Sequence, residues 1–462
     1  MPHAHESNQT ASRSPLHYGL VILGVIILVA FCALGLARFG YTSILPAMQE
    51  AMRLSNLQTG QLQSWNLLGY LLTVAGAGIL ASRFGPRVVI AFSLFIVAVG
   101  MALTALIPVF SAACIGRFLA GVGGAGSNVP AMGLVSAWFG RKRRGVATGA
   151  AVAGSSLGLM VTGPMVPAIL QHYPSGGWRI SWWVLSAMTL AIGAVAYLCL
   201  RNRPADLGLQ AIGESTAEQD GPLNRSSSSR PSGPPGEETE LATTSVRQTG
   251  ARSSTMNSGS EKQSQSSVST LSWGLVYRSK VLWQLAVIYF GFGFSYIIYS
   301  TFFVRYLTAE AGFSSSQAGA LWFQIGVVSI ISGFLWGGVS DRCGRKTALL
   351  WVLSLQSIAF FLSGITREAW SLYLAAGLFA ITAWSVPALM AALCGDLFGG
   401  RLAPAALGLI TMVFGIGQAL GPLAAGIIAD ATHSFGPALM LGGLAALVLG
   451  VGGTLLPKHW DR

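Results

Sequence analysis

The stretch Gly337-Gly338-Val339-Ser340-Asp341-Arg342-Cys343-Gly344-Arg345-Lys346 separates two long apolar runs and packs one acid and three cations into a short turn. Glycines at the end of an apolar run let helices approach closely, while the charges stay in water at a membrane surface. The framework recurs 259 residues earlier, where Gly78, Arg83 and Gly85 fall under Gly337, Arg342 and Gly344. At the same offset Gln58-Thr59-Gly60-Gln61-Leu62 matches Gln317-Ala318-Gly319-Ala320-Leu321. Asn128-Val129-Pro130-Ala131 pairs with Ser385-Val386-Pro387-Ala388, and Gly163-Pro164 with Gly421-Pro422, at nearly that spacing. Independent positions agreeing on one offset are the mark of an internal duplication.

On either side of these turns the chain is apolar. Its 462 residues are 52% hydrophobic and only 10% charged, with 58 glycines and 13 tryptophans. A soluble domain carries about 25% charged residues, so a soluble enzyme, a disordered chain and a disulfide scaffold are poor readings. Twelve windows of about 20 apolar residues, each long enough to cross a bilayer, centre near Ile27, Leu71, Phe95, Gly126, Gly158, Met188, Phe290, Gly326, Leu355, Ala380, Gly417 and Leu444. The first runs from about Tyr18 to Met48, too long for a cleavable signal core. The five cysteines show neither zinc spacing nor a disulfide framework and read as free thiols. The net charge of +12 is mostly explained by orientation. With a cytoplasmic amino terminus, Arg83, Arg87, the run Arg141-Lys142-Arg143-Arg144, Arg342, Arg345 and Lys346 all fall inside, whereas Arg53, Arg179 and Arg367 fall outside. This is the positive-inside pattern, and no nucleic-acid partner is needed to account for the charge.

The expected fold is an all-α membrane protein of twelve transmembrane helices in two pseudo-symmetric six-helix bundles. The expected divisions are a cytoplasmic tail (1–15), an N-terminal bundle (16–203), a disordered cytoplasmic linker (204–272), a C-terminal bundle (273–457) and a short tail (458–462). The linker follows from composition: Ser226–Ser229 and Gly233-Pro234-Pro235-Gly236 lie in a stretch too polar to bury a core. Both termini would face the cytoplasm, and the chain would sit in the cell (inner) membrane.

The Gly337–Lys346 stretch is similar to the G-x-x-x-D-R-x-G-R-R/K signature of the major facilitator superfamily. Arg117-Phe118-Leu119-Ala120-Gly121-Val122-Gly123 is similar to its R-x-x-x-G-x-G motif, and Gly154, Gly158 and Gly163-Pro164 to its glycine-proline motif. The first copy of the signature, Gly78 to Arg87, departs from the pattern. Ser82 replaces the acid and Pro86 a basic residue, so a weaker latch is expected there. Trp138-Phe139-Gly140-Arg141-Lys142-Arg143-Arg144-Gly145 resembles monocarboxylate and oxalate/formate porters. Ala37-Arg38-Phe39-Gly40-Tyr41 with Leu45-Pro46 resembles an uncharacterised bacterial branch of the same superfamily. The resemblance implies a transporter, no cofactor and no metal. It also implies a gating set at Gly78, Arg83, Arg87, Arg117, Gly337, Asp341, Arg342 and Arg345.

Arg38 is the leading ligand candidate. A charge inside a transmembrane helix costs from about 2.5 kcal/mol upward and normally faces a cavity or a partner. The offset maps Arg38 onto Ile297, so the charge belongs to one half only. Counting from Tyr18 places it roughly 30 Å along a helix, near the outer face, yet the apolar run continues to Met48. The count therefore leaves its depth open, and a snorkelling boundary arginine is the competing reading. Tyr41, Asn66, Asn128, Tyr296, Tyr299, Gln324, Trp384 and Gln418 complete the candidate substrate site. Tyr296 and Tyr299, three residues apart, are expected on one helical face. Each of these side chains alone is equally explained by interhelical packing.

The sixteen carboxylates all fall in tails, the linker or near helix ends, so protons, if they are coupled, would travel on the substrate. The expected function is secondary transport of a small organic anion, a monocarboxylate or aromatic acid, by alternating access as a monomer. Export of lipophilic compounds and a non-transporting sensor on the same fold are the alternatives. The expected partners are the bilayer, the anion and protons.

Overall fold

Ser55 and Ser314 explain what the repeated segments do. Each caps a helix through its hydroxyl, and Gln58 or Gln317 returns a bond to the cap's own N–H, completing a capping box. The two boxes stand 259 residues apart, so the duplicated sequence begins the same helix in each half. Both helices then end on a glycine, Gly85 at φ +84° and Gly344 at φ +85°, a conformation open to glycine at little cost. The signature turn therefore needs its glycine for backbone geometry.

The computed structural model describes residues 17–213 and 278–454. Within them are twelve helices long and apolar enough to cross a membrane: α1 Tyr18–Met52, α2 Asn56–Phe84, α3 Pro86–Leu106, α4 Phe110–Trp138, α5 Arg143–His172 and α6 Gly177–Cys199, then α7 Lys280–Ala309, α8 Ser315–Cys343, α9 Arg345–Ile365, α10 Ala369–Gly399, α11 Leu402–Thr432 and α12 Gly436–Gly453. The chain is a multi-pass membrane protein of two six-helix halves. The helices alternate direction, so one face gathers Arg83, Arg87, Arg342 and Arg345. That face is called basic here, and the other opposite. The expected tails and most of the expected linker lie outside the described residues. The linker's first ten positions are ordered. Pro204–Leu207 forms a 3-10 turn, and Ile212 exchanges backbone hydrogen bonds with Trp138 and Gly140 at 2.9 and 3.0 Å.

Two helices are irregular near mid-membrane. Phe31–Phe39 of α1 is wound as a π-helix, and α10 breaks between Thr382 and Ser385. Both kinds of irregularity leave backbone carbonyls free for other partners and recur at functional sites.

The halves meet tightly on the opposite side. A methyl group added at Gly60 would collide with the Pro422 carbonyl oxygen, and one at Gly319 would collide with that of Gly163. The repeated glycines are thus the places where α2 meets α11 and α8 meets α5. Cross-half hydrogen bonds add to this closure. Thr42 donates to the Ser300 carbonyl at 2.6 Å, Ser64 donates to that of Ala419 at 2.6 Å, and the N–H groups of Asn56 and Leu57 both donate to the Asp430 carboxylate at 2.9 Å. Toward the basic face, methyl groups added at Gly78, Gly133, Gly337 or Gly408 would meet nothing within 4 Å, whereas one at Gly149 would still meet the Phe334 ring of the other half. The tightest described contacts between the halves thus lie toward the opposite face.

Candidate functional site

Arg38 lies roughly 30 Å along a helix that is roughly 52 Å long, near its middle. With α1 continuing to Met52, Arg38 falls near the middle of the helix and away from its ends. The side chain is 6% exposed, and its Nε has no hydrogen-bond partner among the described residues. Its guanidinium carbon stands 4.6 Å from the Tyr70 ring centroid, a cation–π arrangement. The Tyr296 hydroxyl of the second half lies within its electrostatic reach. Gln418 donates to that hydroxyl at 2.5 Å, and Asn128 donates to the Tyr70 hydroxyl at 3.1 Å. Tyr70, Asn128, Tyr296 and Gln418 each sit near the middle of their own helices, α2, α4, α7 and α11. The five side chains therefore form one level at the midplane, on the seam between the halves.

An aromatic wall continues from Tyr296. Phe414 stacks on Tyr289 with ring centroids 4.2 Å apart, and Phe292 stacks on Tyr296 at 5.0 Å. Trp384, at the break in α10, meets Phe39 at the end of the π segment with centroids 5.4 Å apart, and its indole N–H donates to Ser156 at 2.9 Å. The two backbone irregularities thus touch each other beside Arg38. No ion pair to Arg38 occurs among the described residues; the recorded pairs are Arg345 with Asp341 and Asp396, and Arg367 with Glu310.

Four of the candidate residues lie elsewhere. Tyr41 is fully buried inside the first half, stacked on Trp182, with its hydroxyl donated to the Thr59 carbonyl at 2.8 Å. Asn66 donates to the Arg117 carbonyl at 3.0 Å and so joins α2 to α4. Tyr299 packs among Phe303, Phe360 and Phe379 in the second half. Three residues along a helix are about 60° apart in projection, enough to send Tyr296 to the seam and Tyr299 to the bundle core. Gln324 is exposed, alongside Val327 and Ile331, and has no hydrogen bond among the described residues. Tyr70, which completes the site, was not among the candidates; a lone tyrosine in an apolar window looks like any other packing aromatic.

The gating candidates divide in the same way. Arg117 is 0% exposed and ties the first half together. It donates to the Ala37 carbonyl within the π segment and to Gln63 at 2.7 Å, and it lies 4.6 Å over the Tyr41 ring. It stands within electrostatic range of Arg38, so two buried cations share this region. Arg345 bridges Asp341 at 2.6 Å and Asp396 at 3.2 Å at the basic face, joining α8, α9 and α10. Arg342 is exposed beside them. Among the described residues the first-half copy makes no such cluster: Arg83 lies over Phe84, while Arg87 donates to the Tyr197 carbonyl at 2.6 Å. Gly78 and Gly337 face open space.

Twelve spans in two halves around a polar, cationic midplane define a membrane transporter and not an enzyme. The chain belongs to the Major Facilitator Superfamily, whose family model matches residues 27–333. A second model, described as the uncharacterised MFS-type transporter YbfB, matches residues 259–454. Among curated relatives, the "probable sulfoacetate transporter SauU" of Cupriavidus necator is 24% identical, covering 94% of this chain and 91% of that protein. The "probable L-galactonate transporter" of Escherichia coli K12 is 22% identical, covering 86% and 80%. The crystal structure of a bacterial homologue of the human lysosomal transporter Spinster, inward-facing and unoccupied, superposes with a TM-score of 0.66 at 15% identity, covering 96% of both chains. That likeness carries the fold.

Proposed function

We propose that the protein is a secondary transporter of a small organic anion, working by alternating access, with the basic face in the cytoplasm of the cell that holds it in its inner membrane. The single observation that carries this reading is Arg38: a buried midplane cation with an unpaired N–H, on the seam of the halves, without a carboxylate partner among the described residues. An entering carboxylate or sulfonate supplies the missing counter-charge. The Tyr296 hydroxyl would supply a neutral hydrogen bond, the Tyr70 ring would hold Arg38 in place, and the wall of Tyr289, Phe292 and Phe414 would accept an apolar or aromatic body. The relatives named for sulfoacetate and L-galactonate transport point to the same chemical class. A proton accompanying the anion would ride on the substrate's own carboxylate, because the midplane cluster has no acid.

The test is uptake into proteoliposomes of radiolabelled sulfoacetate, L-galactonate and a set of aromatic acids by the native protein and by Arg38→Gln. Loss of uptake with a normally folded variant is expected. Unchanged uptake of the transported acid by Arg38→Gln would remove Arg38 from the site and the anion reading with it.

A further inference from the structure

A second polar chamber lies on the closed side of the seam, further along the helix that carries Arg38. It is a cavity of about 270 Å³ between α1 and α5 of one half and α7 and α8 of the other, with Ser43, Pro46, Glu50, Pro167, Arg305 and Thr308 in its lining. Two of these groups lack partners. Ser43 is only 5% exposed, yet its hydroxyl makes no hydrogen bond, and the Arg305 Nε is buried and equally unpaired. Arg305 lies within electrostatic reach of Glu50 and Glu310, but neither forms an ion pair with it. Glu310 is already engaged, by the Ser434 hydroxyl at 2.5 Å, the Phe435 N–H at 2.7 Å and Arg367 at 3.6 Å. A buried hydroxyl and the buried Nε–H of a partly exposed arginine, both without acceptors, are costly unless something fills the space between them.

We propose that this chamber is a second binding subsite for a small organic anion, between the midplane and the opposite face. The proposal rests on the anion-transport reading and extends it to a residue of the other half. Arg305 supplies the positive charge and Ser43 a hydroxyl donor. The volume sits at the lower edge of ligand pockets, which run from roughly 300 to 1,000 Å³. The chamber therefore takes a short carboxylate or sulfonate and turns away bulky ones. Because Ser43 and Arg305 come from different halves, the subsite exists in full only while the opposite face is closed. It is the station an anion occupies as that face closes behind it, or just before that face opens.

Ser315 lines the chamber and is exposed, which makes it a reporter position. In protein whose native cysteines are replaced by alanine, Ser315→Cys is reacted with a sulfonate-bearing and a trimethylammonium-bearing methanethiosulfonate of similar size. The subsite predicts that the anionic reagent reacts several-fold faster relative to a free thiol. Arg305→Gln should reverse that preference by about fivefold or more, Arg305→Lys should keep it, and Ser43→Ala should slow the anionic reagent alone. Sulfoacetate at millimolar concentration should protect the thiol when Arg305 is present and not in Arg305→Gln. If Arg305→Gln leaves the ratio of the two rates unchanged, the subsite is refuted. This failure is separable from that of the central site, which is read from Arg38→Gln uptake alone. The lysine variant shows that a changed ratio reflects charge and not misfolding.

Discussion

Arg38 is held over Tyr70, and the strength of that arrangement decides how a change at Tyr70 is felt. A cation over a ring is worth about 0.5–2 kcal/mol, depending on how far water is excluded. Tyr70→Phe keeps the ring and loses only the Asn128 hydrogen bond, so anion affinity should change by about threefold at most. Tyr70→Leu loses the ring, leaves Arg38 free to swing, and should weaken binding by roughly tenfold. Calorimetric titration with the transported acid checks both, and equal losses would mean that the ring face plays no part. Arg38→Gln is the larger change, since truncating one member of a buried charge pair costs about 2–5 kcal/mol. Arg38→Lys should fall between, because an ammonium does not offer the planar fork that holds a carboxylate by two bonds. At this scale the sequence was legible where chemistry was unusual. An arginine in an apolar window stands out, and so do Asn128 and Gln418. Tyr41, Asn66 and Tyr299 were indistinguishable from site residues, because their partners (Thr59, the Arg117 carbonyl, a phenylalanine cluster) come from elsewhere in the chain.

Asp430 belongs to the scale of helices. Its carboxylate accepts the N–H groups of Asn56 and Leu57 at the start of α2, so an acid on one half caps a helix of the other. An anion at a helix N-terminus gains from the helix dipole as well as from the two bonds. Together these bias the opposite face toward closure by about 1–3 kcal/mol. Asp430→Ala should therefore raise the population open at that face by roughly tenfold. Thr42→Cys reads it, since Thr42 is buried against the Ser300 carbonyl across the seam: an impermeant maleimide added at the opposite face should label it roughly tenfold faster in the Asp430→Ala background. An unchanged labelling rate would sink the latch. The basic-face cluster of Asp341, Arg345 and Asp396 differs, because it lies within one half and its acids are 66% and 57% exposed, where such pairs contribute at most about 1 kcal/mol. Elements were the most legible scale. Capping boxes, apolar length and the glycine turn are local signals, repeated at one offset. The π segment of α1 was not legible, because it contains no proline and depends on a neighbour, Arg117. The break in α10 was legible in part: Pro387 has no N–H to give the Ala383 carbonyl four residues earlier. Yet Pro130, its partner in the repeat, leaves α4 continuous, so the break also depends on Ser332 and Ser156.

For the whole molecule the open question is whether the long polar stretch between the halves takes part in the work. A transporter needs it only to connect α6 to α7, whereas a sensor built on the same fold would need it to reach a partner. The boundary for testing this is set by structure and not by composition. Residues up to Gly213 are tied into the basic face: the His17 ring meets the Gln210 carbonyl at 3.1 Å, and Ile212 pairs with the backbone after α4 and packs on Gly19. Cutting at the compositional boundary, Pro204, would strip these contacts from the start of α1 and the end of α4, so a loss of function would report instability. Replacing 214–272 by a flexible Gly/Ser linker of about 20 residues, which spans roughly 25 Å on average, removes the polar stretch and leaves the anchored segment intact. Anion uptake in proteoliposomes should then stay within about twofold of the native rate, and thermal stability should be unchanged. Uptake abolished in a protein that still unfolds at the native temperature would make the stretch a working part, and the transporter reading would have to give it a role.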